Sequence, residues 1–344
     1  MISLDNLREA LSGLAGVGER TPLIRLPFEG LAGEVRLKAE HLQPIGAFKI
    51  RGAWTALRRL SDDARRRGVV TSSSGNHGLG IAFAAKRLGI RAVVVMPESA
   101  AGVKIDGVRK LGAEVVLAGK TRGPEQTVAA ERFVTDEALT MVPPYDHPDV
   151  IAGQGTVGLE ILDQWPEVRA ILVPIGGGGL LAGICSAVRA TGADVQVIAV
   201  EPAGIPKLSA AMAAGQPTTL AGGASLADGL LTMSVGQLTW PLIRETVTAV
   251  ASVTDDEIRA AVRWLNTAGL QVEPSGSVTT AAILAVKYVV TGPTVVVCSG
   301  GNVDAARFQE LIAGGATPVS YWRLKTPHWR VRSPGCSRRM ATTS

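Results

Sequence analysis

Short apolar runs rich in β-branched residues recur along this chain, and stretches with helical spacing lie between them. Ala92-Val-Val-Val-Met96 follows the helical pattern Gly80 to Leu88, and Val115-Val-Leu117 follows the pattern Val108 to Gly112. These two helix-Leu-Gly-strand units look alike, with equivalent leucines at Leu88 and Leu111, which marks a local βα duplication. Further strands are predicted at 69–71, 171–173, 195–200 and 295–298. Continuous β-branched runs separated by helices predict an α/β fold whose twisted sheets are largely parallel and covered by helices. Ligands in such sheets bind at the carboxyl ends of strands. Three segments stand at such ends: 72–77, 176–179 and 299–302.

The uncharged stretch from Ala170 to Val188 is long enough to span a bilayer. Pro174 and the four consecutive glycines Gly176, Gly177, Gly178 and Gly179 would break the helix that such a span needs. The stretch therefore reads as a buried strand, a glycine turn and a helix start. Glycine permits positive φ and close approach of a ligand, and N–H groups at a helix N-terminus converge on an anion, so the turn predicts a phosphate site.

Composition narrows the partners. The chain of 344 residues is 46% apolar and 19% charged, enough for a sizeable core in one large domain or two smaller ones. Its net charge of +5 would suggest nucleic acid. However, residues 316–344 hold Arg323, Lys325, Arg330, Arg332, Arg338 and Arg339 and no acid, so the rest of the chain is close to neutral. That proline-interrupted basic tail is expected to be disordered, with no nucleic-acid or membrane partner. The cysteines have no metal or disulfide spacing; Cys185 and Cys298 lie in apolar segments and read as buried thiols. With no apolar leader at the N-terminus, a cytoplasmic location is expected.

Gly177-x-Gly179-x-x-Ala182, with Glu201 ending the next strand, fits a relaxed dinucleotide fingerprint, so a nicotinamide oxidoreductase must be weighed. Chemistry of another kind surrounds Lys49. It follows Phe48 and precedes Ile50, beside a loop with Pro44 and Gly46. An apolar setting there would partly desolvate the amine and favour its nucleophilic form; the alternative is a snorkelling surface lysine. Ser72-Ser-Ser-Gly-Asn-His77 offers hydroxyls, an amide and N–H groups, suited to a carboxylate and a phenolic oxygen, and equally to capping the following helix.

Six segments occur in order: Ala47-Phe-Lys-Ile-Arg-Gly-Ala53, Ser74-Gly-Asn-His77, Ile151-Ala-Gly-Gln-Gly-Thr156, Gly176 to Gly179, Val272-Glu-Pro-Ser-Gly276 and Ser299-Gly-Gly-Asn302. Together they resemble the fold-type II pyridoxal-phosphate enzymes, in the threonine/serine dehydratase and serine racemase branch, over about residues 1–315. The resemblance implies a tryptophan synthase β-like fold with pyridoxal 5'-phosphate between two domains. The larger would comprise 1–67 and 147–315, and the smaller, closing on substrate, 68–146. It implies that Lys49 bonds the cofactor aldehyde and then carries the Cα proton. Gly176 to Gly179 would hold the phosphate and Asn76 the ring hydroxyl, with Ser299 at the ring nitrogen and Phe48 and Glu273 also against the cofactor. Ser73, Gly75, Asn76 and His77 would hold the substrate carboxylate. A neutral hydroxyl at the ring nitrogen makes a weaker electron sink, which suits prompt loss of a β-leaving group.

The implied activity is an ammonia-lyase turning L-threonine, L-serine or a similar β-hydroxy amino acid into a 2-oxo acid and ammonia, in a homodimer or homotetramer. The alternatives are serine racemase or 3-hydroxyaspartate dehydratase, with nicotinamide oxidoreduction remote. Ser74, on the cofactor face opposite Lys49, would supply the second proton carrier that racemisation needs. Tyr145 looks more dehydratase-like, and Glu125, where relatives carry an arginine, argues against a second substrate carboxylate. Relatives that bind Mg²⁺ or Ca²⁺ pair a glutamate with an acid six residues on. Here Glu201 is followed by Lys207, so no metal is expected; the ammonium would pair with Glu201 or point to solvent.

Overall fold

The computed structural model describes residues 2–313, apart from 74, 101 and 122. The basic tail 316–344, and with it the expectation of disorder, lies outside the described residues.

Among the described residues, ten strands form two sheets. The larger has the order β1 (Leu23–Arg25), β2 (Val35–Ala39), β10 (Thr294–Cys298), β7 (Ala170–Pro174), β8 (Gln196–Pro202) and β9 (Val247–Val253). Only β1 and β2 pair antiparallel; the other neighbours are parallel. The smaller sheet, wholly parallel, has the order β5 (Glu114–Leu117), β4 (Ala92–Met96), β3 (Val69–Ser72) and β6 (Thr140–Met141). Central strands β4, β7 and β10 are buried at every position, as the unbroken apolar runs require when helices cover both faces. The predicted α/β fold with parallel sheets is the one observed.

The stretch Ala170 to Val188 is β7, a glycine turn and the start of helix Gly179–Thr191. Among the described residues no helix is long and apolar enough to cross a membrane. Cys185 and Cys298 are buried, and burial pushes the Cys185 thiol up to about 12 and raises that of Cys298, which leaves both unreactive.

Strands β1, β2, β6 and β9 have no counterpart among the predicted ones. In β2 the run is broken by Arg36 and Lys38, yet Lys38 is fully buried because its ammonium meets the Glu160 carboxylate, Thr21 O and Gln164. Strand β9 is an edge with several exposed positions, so its sequence lacks a continuous apolar signal.

Three helices fix the geometry between the strand ends. Helix Lys49–Arg58 and helix Gly179–Thr191 both cross helix Pro148–Gln164. A Cβ on Gly153 would lie 2.4 Å from the Arg51 carbonyl oxygen, and one on Gly183 would lie 2.5 Å from the Gly155 nitrogen. The motif Ile151 to Thr156 is thus a packing seam: its glycines let backbones touch and set the distance between Lys49 and the glycine turn.

Candidate active site

A cleft between the carboxyl ends of the two sheets is lined by Phe48, Lys49, Ser73, Gly75, Asn76 and His77, together with Gly176 to Gly179, Glu273 and Ser299. Every described residue expected at the site therefore faces one pocket. Ser74 lies outside the described residues.

Lys49 begins its helix, and the segment before it is stitched to the end of β10. Phe48 N–H donates to the Ser299 carbonyl at 3.1 Å, and Gly301 N–H donates to Gly46 O at 2.9 Å. The Lys49 ammonium donates to Pro144 O at 2.6 Å and stands 5.1 Å from the Phe48 ring centre. Two residues on, the same helix carries Arg51, which is 1% exposed. Its guanidinium donates to both oxygens of Glu40 at 2.8 Å and to Glu160 at 2.7 and 2.8 Å. Lys38 completes the set by donating to Glu160 at 2.6 Å. Burial alone would raise the Glu40 carboxyl, but Arg51 and then Lys38 outweigh it and hold it below the usual carboxylate range. The helix bearing Lys49 is thereby anchored on its inner face by two carboxylates and two cations that satisfy one another.

The turn after β7 takes the positive φ its sequence suggested and adds a packing reason for glycine. A Cβ on Gly177 would lie 2.4 Å from carbons of the Tyr145 ring, and Gly178 has φ +102°. These glycines are demanded by the protein's own packing and backbone before any ligand approaches. The carbonyls of Gly177 and Gly178 are occupied, the first by Gly236 N–H and the second by Ala182 N–H. No acceptor among the described residues is bonded to the N–H groups of Gly176 to Gly179. Four such donors at the start of a helix fit a phosphate.

After β3, the Ser73 hydroxyl accepts the Gly78 N–H at 3.0 Å, which satisfies a first-turn donor of the helix Asn76–Leu88, whose N-cap is Gly75, while it lines the cleft. Asn76 donates to Glu273 Oε1 at 2.7 Å, and its own oxygen accepts from Asn302 at 2.9 Å. Burial raises the Glu273 carboxyl to about 8, and the charge of Asp228 adds to this. This favours the neutral form of the Glu273 carboxyl in the cleft. His77 turns inward, with Nε2 3.1 Å from Val142 O. Burial, then the charge of Lys49, lowers its pKa to about 3 and keeps the ring neutral. The Ser299 hydroxyl donates to Ser275 O at 3.3 Å, which keeps a neutral oxygen in the cleft.

Several lining residues were not singled out from the sequence. Lys104 donates to Asp228 at 2.6 Å across the cleft, Ser275 accepts the Gly229 N–H at 2.8 Å, and the Thr232 hydroxyl is buried without a partner. Ser275 stood inside a quoted motif; Lys104, Asp228 and Thr232 had no local signal. Glu125 is exposed and does not line the cleft, where Lys104 adds a second ammonium. One reading is corrected. Lys207 neither points to solvent nor pairs directly with Glu201. It is fully buried on Leu230 O at 2.8 Å, while Glu201 accepts the N–H groups of Leu208 and Ser209. Among the described residues no group of three or more His, Cys, Asp or Glu is placed to hold a metal.

An amine, a four-donor anion cradle, an amide and a neutral hydroxyl in one cleft fit a phosphorylated aromatic aldehyde. The family model for pyridoxal-phosphate dependent enzymes matches residues 14–300. An L-threonine ammonia-lyase of Thermotoga maritima is 39% identical over 318 residues, 92% of this chain and 79% of that protein. The L-threonine dehydratase catabolic TdcB of Escherichia coli is 37% identical over 90% of this chain and 96% of its own. The structure of maize serine racemase superposes with a TM-score of 0.84 at 34% identity, covering 90% of this chain and 96% of that one. The chain belongs to the pyridoxal-phosphate dependent enzyme family.

Proposed function

We propose that this protein is an ammonia-lyase that removes water from L-threonine or L-serine and yields a 2-oxo acid and ammonia. The observation that carries this reading is the convergence of Lys49 and the glycine turn in one cleft. Likeness to threonine ammonia-lyases over most of the chain supports the substrate class.

In this reading the N–H groups of Gly176 to Gly179 bind the phosphate. Asn76 and Ser299 orient the ring, with Phe48 and Glu273 alongside. Bound pyridoxal phosphate supplies an electron sink that acidifies the substrate Cα–H. Lys49 takes the proton at Cα and passes it to the β-hydroxyl, which leaves as water. The unsaturated amine so released hydrolyses to the 2-oxo acid and ammonia. Ser73, Gly75, Asn76 and His77 hold the substrate carboxylate, largely through backbone N–H groups; the His77 ring is buried, with its Nε2 at Val142 O. The segment 68–146 acts as a smaller domain that closes over the substrate and excludes water, against a larger one of 1–67 and 147–315. A cytoplasmic homodimer or homotetramer belongs to the same proposal.

Incubating the purified protein with L-threonine and L-serine and assaying 2-oxo acid tests the reading. The loaded protein should be yellow, and borohydride should bleach it. Lys49→Ala should fold, lose turnover and lose the colour. Retained dehydration near the wild-type rate would remove Lys49 from its role, and a colourless protein that binds nicotinamide would overturn the whole reading. The likeness to serine racemase favours a side activity. D-serine should then form from L-serine, and Ser74→Ala should suppress it selectively.

A further inference from the structure

Lys207 is among the largest fully buried side chains of the protein, yet it takes no part in the chemistry above. It opens the helix Lys207–Ala214 that follows β8. Glu201, at the end of β8, fixes that helix by accepting the N–H groups of Leu208 at 2.8 Å and Ser209 at 3.0 Å. From this anchored start Lys207 reaches Leu230 O at 2.8 Å, with Ile205 O at 3.4 Å. Burial lowers its pKa to about 8 against the opposing charge of Glu201, so it stays largely an ammonium at neutral pH.

Leu230 ends a short turn, Asp228–Leu230, whose three residues all line the cleft. That turn rests on the glycine cradle: Gly229 O lies 3.3 Å from the place a Cβ on Gly176 would occupy. Its other side is held by Ser275, which accepts the Gly229 N–H at 2.8 Å. Burying an ammonium costs several kcal/mol. A methionine of similar shape would avoid that cost but would leave the Leu230 carbonyl buried without a donor. The ammonium has the charge and roughly the size of a small monovalent cation, and it sits where backbone oxygens and a nearby carboxylate would hold one.

We propose that Lys207 is a tethered cation, a positioning residue that holds the Asp228–Leu230 turn against the glycine cradle and so sets the affinity for the cofactor phosphate. This rests on the reading of Gly176 to Gly179 as the phosphate cradle. Affinity for pyridoxal phosphate is measured on cofactor-free protein by fluorescence titration, with folding checked by far-ultraviolet circular dichroism. Lys207→Met, which keeps the volume, should fold and bind at least about tenfold more weakly. Lys207→Ala should lose affinity likewise and regain much of it with methylammonium, but not with tetramethylammonium at the same ionic strength. Wild-type affinity in Lys207→Met would overturn the proposal. So would a loss in Lys207→Ala that methylammonium cannot restore, or that both salts restore equally. Should Lys207→Ala fail to fold, the methionine variant decides. Failure of the wild-type protein to bind pyridoxal phosphate would instead refute the cradle itself.

Discussion

Replacing Gly177 by alanine separates two reasons for a glycine at the cradle. If the residue is small to admit a ligand, the cofactor-free protein should tolerate a methyl group. The structure gives the other answer, because the new Cβ would lie 2.4 Å from Cδ1, Cδ2 and Cε1 of Tyr145. Carbon atoms in contact stand about 3.5–4.0 Å apart, so ring or backbone must move. The ring is a rigid plate, and the Tyr145 backbone that carries it lies against Gly179 as well. Overpacking of this kind costs about 1–3 kcal/mol. Tyr145→Ala removes the obstacle at its own cost in lost packing, and the alanine at 177 should then add less than about 0.5 kcal/mol. The favourable coupling between the two substitutions should reach about 1–2 kcal/mol. The assay is urea unfolding of wild type, both single variants and the double variant, all stripped of cofactor. Unfolding of Gly177→Ala at the wild-type urea concentration, or strictly additive costs, would refute the reasoning and return the glycine to ligand approach alone.

Arg51→Met should destabilise the protein by about 3–5 kcal/mol, because Glu40 is left buried without its partner and Glu160 keeps only Lys38; a urea-derived loss below about 1 kcal/mol would show that the network adjusts. His77 is held neutral with a pKa of about 3 against an ordinary 6.5, so its contribution is complete above pH 6.5 and drains as pH falls toward 3, amounting to on the order of 2 kcal/mol by pH 5. His77→Gln should flatten the change in urea midpoint between pH 7 and pH 5; an unchanged slope would place the acid sensitivity elsewhere. With a lysine at 207, EDTA should leave turnover unchanged, and inactivation by EDTA that Mg²⁺ reverses would contradict this.

Local patterns carried much of this protein. The unbroken apolar runs of β3, β4, β7, β8 and β10 and the helices between them could be read directly, since a strand covered on both faces needs apolar side chains at consecutive positions. The site motifs were legible for a related reason. The segment around Ser73 and Asn76, the glycine turn and Ser299 each occupy a few adjacent residues at strand ends, which parallel topology brings together, and Lys49 opens a helix beside them.

What tertiary structure decided was pairing. Lys38 interrupts the apolar pattern of β2, which no sequence pattern marked as a strand, and it is buried against Glu160 from a distant helix. Lys104 and Asp228, isolated in sequence, meet across the cleft at 2.6 Å. Gly177 reads as ligand space until the Tyr145 ring is seen beside it. Lys207 was expected at Glu201 or in solvent; the Leu230 carbonyl, a backbone atom with no signature in sequence, claimed it instead. Periodicity and glycine patterns report the local chain, and they fix which surfaces are apolar and where the backbone can turn. A charge or a small residue takes its meaning from the neighbour that folding supplies, and for these residues that neighbour lies far away along the chain.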